Sequence, residues 1–436
     1  MKKPLLALLF FTSLLSAQDP VAINPDRVNA NLQALKQFGI NEQKGNDRIA
    51  YSDYELAARS FLIQKLKKLG LEVQVDFSGN ISALRAGSDP KAPTVAFGSH
   101  IDAVPNGGHY DGNVGSIGAL EVMETLVENN IETKHPFELL IFTNEEGGVF
   151  GSRALAGKIK PAALAVKTNS GYTNAEGVKR LGGDPEKIDA VIRKPEQLHA
   201  FMELHIEQGS TLYEKDIEIG IVEGIVGLKW WDVTITGFAN HAGTTPMHRR
   251  QDALLAAAAF TLKVNEVIKS YPGRQVGTVG RIAAYPGAPN VIPGKVVLSL
   301  EIRDLDAQKI ARLFDQIQEE ANHIGEKYNT RIQFSPIDAT SDPALTDKRI
   351  QQIIRENADL LGLSHLDLPS GAGHDAQDMA LLTPTGMIFI PSVDGISHAP
   401  NEYSTPQAIA KGTQLLLNTL LEIDQTDFNP QLGNLK

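Results

Sequence analysis

The chain of 436 residues contains no cysteine. That excludes disulfides, thiolate metal sites and cysteine nucleophiles, so any metal must be held by His, Asp and Glu. Basic residues are in deficit: 41 Lys and Arg stand against 52 Asp and Glu, for a formal net charge of -11. A chain this acidic is a poor nucleic-acid binder, because phosphate neutralisation needs a basic surface. Long apolar runs are also missing, apart from residues 5–15. That stretch follows Lys2 and Lys3 and precedes the small residues Ser16 and Ala17. It is too short to span a bilayer of ~30 Å comfortably. Its flanks read as a secretory signal peptide, residues 1–17, cut after Ala17. The expected mature protein is soluble and exported, either periplasmic or secreted. Its 42% apolar and 21% charged residues are ordinary for a globular protein, and its length allows two domains.

Helical periodicity over 24–37, 52–69 and 117–127 alternates with apolar strand patterns at 71–77, 81–84, 94–97 and 137–142. Such alternation predicts an α/β fold: a mixed, mostly parallel sheet flanked by helices. A second rhythm begins near Val226. Strand, helix, strand, strand, helix and strand follow one another over 231–236, 252–268, 275–283, 296–302, 307–328 and 332–334. This order suggests an inserted α+β domain. The division is then 18–225 and 338–436 for the larger domain and 226–337 for the insert.

Polar clusters sit where strands should end. They are Gly98–Asp102, Tyr110–Gly112, Thr143–Gly147, Glu203–Gly209 and Ile396–Pro400. Ligands of open α/β sheets bind beyond the carboxyl ends of the strands, so five such clusters can converge. Each alone has a plainer explanation. A single His at a strand end is usually a hydrogen-bonded structural residue. Glu145-Glu146 could be the acidic start of a helix. The glycines of 107–118 could cradle a phosphate, but the GxxxxGK[ST] spacing and its lysine are absent.

The conjunction is more specific. GSHIDAVPNGGHYDGNVG, TNEEG, ELHIEQG, NHAGTTPM, NVIPG, GAGHDAQ and SHAPNE occur in this order over nearly the whole mature chain. Together they resemble the M20 metallopeptidase-like superfamily, and within it the carbamoylase branch. That branch comprises N-carbamoyl-L-amino acid hydrolases, allantoate amidohydrolases and β-ureidopropionases. The resemblance implies a di-metal catalytic domain and a ferredoxin-like inserted lid and dimerisation domain. It implies two divalent metal ions per subunit, zinc or manganese, with cobalt or nickel as further options. His100, Asp111 and His205 would ligate one ion, and Asp111, Glu146 and His398 the other, with Asp111 as the bridge. Imidazole and carboxylate suit such ions.

The resemblance also implies catalytic roles. Asp102 would orient His100, since outer partners fix a ligand's tautomer. Glu145 would be the general base toward a metal-bridging hydroxide. His241 would reach the partner subunit's site in a homodimer and stabilise the oxyanion. Asn290 and Arg303 would bind the polar groups of the substrate, Arg303 gripping a carboxylate. Gln208 and His374 would line the pocket. His205 stands where many M20 peptidases have a carboxylate, which favours the carbamoylase branch. The implied activity is hydrolysis of the C–N bond of small ureido acids: N-carbamoyl-amino acids, ureidopropionate or allantoate. Two other readings are an M20-type aminoacylase or dipeptidase, and a ligand-binding protein without catalysis. Retention of Glu145 beside a full ligand set argues against the last.

Overall fold

The computed structural model describes residues 21–337 and 341–428, so the expected signal peptide lies outside the described residues. Strands Thr94–His100, Phe137–Phe142, Leu198–Ile206 and Thr385–Ile390 are apolar and buried almost throughout. A strand buried on both faces belongs in the middle of a sheet covered on both sides. These four form the parallel centre of a nine-stranded sheet, in the spatial order 137–142, 94–100, 198–206, 385–390. The flanks run mainly antiparallel. Ile81–Arg85 and Glu72–Val75 extend one side. Ile219–Ile225 extends the other, and both Ala344–Leu345 and His365–Ser370 pair with it, the last in parallel.

Alternate side chains of Phe137–Phe142 divide between two cores, as a two-residue period requires. Phe137, Leu139 and Ile141 join Ile117, Leu120, Ile354 and Leu416 from the helices on one face. Leu140 and Phe142 join Phe150, Phe201 and Phe389 on the other. Helix Asn113–Glu128 is buried along most of its length.

Residues 227–336 build a second sheet with its own core. Its main strands run in the order Ile282–Tyr285, Lys295–Asp304, Gly227–Thr236, Arg331–Pro336, all antiparallel, and Val276–Thr278 also pairs with Lys295–Asp304. That order is the one a ferredoxin-like plait has. Asp252 and Asp306 cap the two helices Ala253–Ser270 and Ala307–Tyr328 by accepting backbone N–H bonds. Val296, Leu298, Leu300 and Ile302 point inward from one strand and are fully buried. Each such side chain gains about 1.5–3 kcal/mol from burial. Trp231 stacks on Phe314 with ring centres 4.0 Å apart. Asn240–His241 and Val291–Ile292, remote in sequence, pair as a separate two-stranded antiparallel sheet in this unit. Among the described residues no helix is long and apolar enough to cross a membrane.

Candidate active site

The four parallel strands end at one edge, and each delivers part of a single cluster. Thr94–His100 ends on His100, and Leu198–Ile206 carries His205 at its last residue but one. Phe137–Phe142 leads into Glu145 and Glu146, and Thr385–Ile390 leads into the loop that holds His398. Asp111 lies in the loop before helix Asn113–Glu128, whose N-cap is Gly112 at φ 64°. A Cβ on Gly112 would stand 2.4 Å from the His100 ring, so only glycine lets loop and ring meet.

His100 Nε2 and His205 Nε2 lie 3.4 and 3.2 Å from Asp111 Oδ1. His398 Nε2 lies 3.3 Å from Asp111 Oδ2 and 3.5 Å from Glu146 Oε2. His100, Asp111 and His205 form one group and Asp111, Glu146 and His398 another, the ligand atoms of each within 4.8 Å of one another. Three donors about 2.1 Å from one ion at tetrahedral angles are roughly 3.4 Å apart, so the spacing in both groups fits a divalent ion. A third group, Glu203, His205 and His374, is fully buried. Its Glu203 is already engaged, accepting from the Ser99 hydroxyl at 2.7 Å and from the Ala376 N–H at 2.9 Å.

The hydrogen bonds also prepare the ligands. His100 Nδ1 is 3.1 Å from the Asp102 carbonyl, and His205 Nδ1 is 2.9 Å from the Ile206 carbonyl. With Nδ1 donating in both rings, each Nε2 is left as an acceptor on the Asp111 side, and that of His205 accepts from the Gly112 N–H at 3.1 Å. The Asp102 carboxylate is 3.7 Å from His100 Nδ1. Its shorter contacts are to the backbone N–H groups of Glu145 and Glu146, at 3.2 and 3.1 Å. Asp102 therefore anchors both the imidazole, through its carbonyl, and the glutamate turn, through its carboxylate. Asn144, Gln208 and His398 have φ values of 50°, 59° and 55°. Left-handed non-glycine residues are uncommon and carry strain, and here they border the cluster.

Buried acid is in excess at this edge: Asp102, Asp111, Glu145, Glu203, Asp375 and Glu402 are all buried. Burial lifts the Glu145 carboxyl well above the usual range, with Asp375 and Glu146 adding to it against His100. Burial, reinforced by Asp111, moves Glu146 up to about 7. Burial also works against Asp111 as an anion, but His205, His100 and His398 outweigh it and hold that carboxyl well below the ordinary value. The hydrogen bond to Asp111 raises His398 to about 9. Glu145 and Glu146 thus resist ionisation while Asp111 favours it, and a dication among them would relieve the buried negative charge.

The remaining expected site residues lie in three places. Gln208 is at the cluster: its Nε2 donates to Asp111 Oδ2 at 2.6 Å and stands 3.4 Å from His398 Nε2. His374 is beneath it, 1% exposed, its ring 4.5 Å from that of His205 and its Nε2 2.8 Å from Ser370 Oγ. That is a supporting position, more enclosed than a pocket wall. His241 is in the two-stranded sheet and Asn290 immediately precedes its second strand, and both are exposed. The His241 Nδ1 accepts from the N–H groups of Gly243 and Thr244 at 3.0 and 3.2 Å, which leaves Nε2 outward. Arg303 faces the larger unit and donates to the Gly371 carbonyl at 2.7 Å. It is also held by Glu301, with Nε 2.7 Å from Oε1 and a terminal nitrogen 3.2 Å from Oε2. Three buried acids were not among the expected site residues, Glu203, Asp375 and Glu402. Each lies inside one of the motifs, ELHIEQG, GAGHDAQ and SHAPNE, but their partners are remote in sequence.

A mixed α/β sheet that gathers His, Asp and Glu at the carboxyl ends of its parallel strands, with spacing for divalent metal, defines a metal-site hydrolase. The matching family model, "Peptidase family M20/M25/M40", covers residues 96–422, and the chain belongs to that family. It is 38% identical over 408 residues to N-carbamoyl-L-amino acid amidohydrolase of Geobacillus stearothermophilus, covering 92% of this chain and 99% of that one. It is 36% identical to ureidoglycolate hydrolase of Arabidopsis thaliana, covering 92% and 87%. A solved amidase of the hydantoinase/carbamoylase family from Burkholderia multivorans superposes with a TM-score of 0.86 at 36% identity, covering 92% and 98%. The chain is thus an amidohydrolase-type enzyme acting on carbon–nitrogen bonds other than peptide bonds.

Proposed function

We propose that this enzyme hydrolyses the C–N bond of a small ureido acid, an N-carbamoyl-amino acid, ureidopropionate or allantoate, with two divalent ions bridged by Asp111. The observation that carries this is the pair of ligand groups sharing Asp111, with Glu145 beside them. His100, Asp111 and His205 would hold one ion, and Asp111, Glu146 and His398 the other. When bound, such ions polarise a carbonyl and lower the pKa of water. Zinc or manganese fits this donor set.

The protein's own groups then divide the work. Glu145, whose burial raises its proton affinity, takes a proton from the attacking water and delivers it to the leaving nitrogen. The water oxygen bonds to the ureido carbon, the C–N bond breaks, ammonia leaves, and the carbamate loses carbon dioxide. Arg303 and Asn290 bind the substrate's acid group. His241 is exposed, and in a homodimer it would donate to the partner's developing oxyanion. Residues 227–336 act as lid and dimerisation unit. The N-terminal segment directs export, with cleavage after Ala17.

The test is a substrate panel of N-carbamoyl-amino acids, N-carbamoyl-β-alanine, allantoate and N-acyl amino acids, with ammonia and free amine measured separately. Ammonia release from the ureido compounds supports the proposal. Turnover confined to N-acyl amino acids or dipeptides replaces it with the aminoacylase or dipeptidase reading.

A further inference from the structure

Glu402 is 3% exposed and lies four residues after His398. Its carboxylate accepts four hydrogen bonds from two loops. Oε1 takes the backbone N–H of Tyr110 at 2.8 Å and of Asp111 at 3.0 Å. Oε2 takes the Ser397 hydroxyl at 2.9 Å and the His398 N–H at 3.2 Å. One oxygen thus holds the loop of the bridging aspartate, and the other holds the loop of the outermost histidine. The Ser397 hydroxyl is also 3.1 Å from Asp111 Oδ2, which closes the network onto the ligand itself. His398 sits at φ 55°, a conformation that needs outside support, and its N–H is one of the four donors. The chain leaves room for this carboxylate: a Cβ on Gly108 would fall 2.0 Å from it.

We propose that Glu402 is a positioning residue that joins the two ligand loops and so sets the metal affinity of both groups at once. The inference rests on the metal reading above. Nothing else among the described hydrogen bonds ties the backbone of residues 110–111 to that of 397–398. A carboxylate suits this tie because it can accept all four bonds and has no donor of its own to leave unpaired.

The test uses the full chain stripped with chelator, titrated with Mn2+ by calorimetry and melted with and without Mn2+. In E402Q the amide NH2 faces the His398 N–H, so that bond is lost while size is kept. The expected result is Mn2+ binding about 10–100-fold weaker, the usual cost of losing an outer partner. The metal-free Tm should fall modestly through the lost bond, and the Tm gained on adding Mn2+ should shrink in addition. G108A keeps every charge and pushes the carboxylate aside, so it should weaken Mn2+ in the same direction. Wild-type Mn2+ affinity in both variants would overturn the inference, as would an equal fall in Tm with and without metal. If the wild type itself binds no divalent ion, the metal reading fails first, and that outcome is distinct from either.

Discussion

The two halves of the candidate site differ most in exposure. His100 and His205, at the edge of the large sheet, are each 1% exposed and fixed by backbone carbonyls. His241 and Asn290, at the two-stranded sheet of the second unit, are exposed. The first half is assembled by four adjacent strand ends and needs nothing from outside. The second half is built on a unit with its own core. Under the proposed function the rigid donors lie in the former and the substrate-binding groups in the latter.

This contrast predicts how substitutions should sort. Glu145→Gln belongs to the rigid half and should lower kcat by about 10²–10⁴-fold, the range for a lost general base, with Mn2+ affinity changed little. An unchanged rate would remove the assigned base. His241→Ala belongs to the outer half and should lower kcat by about 10²–10³-fold without affecting metal binding. Light scattering should show a dimer, and a fully active monomer would detach His241 from catalysis. Arg303→Ala should act mainly on KM, raising it roughly tenfold to a hundredfold, as for loss of hydrogen bonds to a charged group. If kcat fell and KM held, Arg303 would belong with the first half. The smallest effect concerns Glu301, which grips Arg303 and also accepts from the Trp230 indole N–H. A substrate carboxylate must compete with it. Glu301→Gln should lower KM roughly 1.5–5-fold, the worth of a partly exposed ion pair. A raised KM would show that Glu301 orients Arg303 and does not mask it.

Much of the rigid half was legible because its parts sit at the ends of apolar runs. The run before His100 and the run before Glu145 are recognisable strands, and a metal site lacking cysteine has few residue types to choose from. The ligand grouping itself came from the ordered motifs and not from spacing alone. Strand direction at the sheet flanks was not legible, because it depends on connections and not on periodicity. The start of helix Asn113–Glu128 was placed four residues late, at 117. Its cap, Gly112, has no side chain to accept from the first turn, so no capping residue marks the start. Glu402 was hidden for a related reason. Its role is set by Tyr110 and Asp111, 292 and 291 positions away, and no local pattern reports that. His374 read as a pocket residue, whereas its ring is packed against His205.

The central claim is that divalent metal at the Asp111-bridged cluster drives hydrolysis of a ureido C–N bond. The most direct measurement follows ammonia released from an N-carbamoyl-amino acid by the chelator-stripped enzyme during stepwise addition of Mn2+, Co2+ or Zn2+. The account predicts no release from the stripped protein and full recovery as the cluster fills. Ammonia release that survives exhaustive chelation would contradict it.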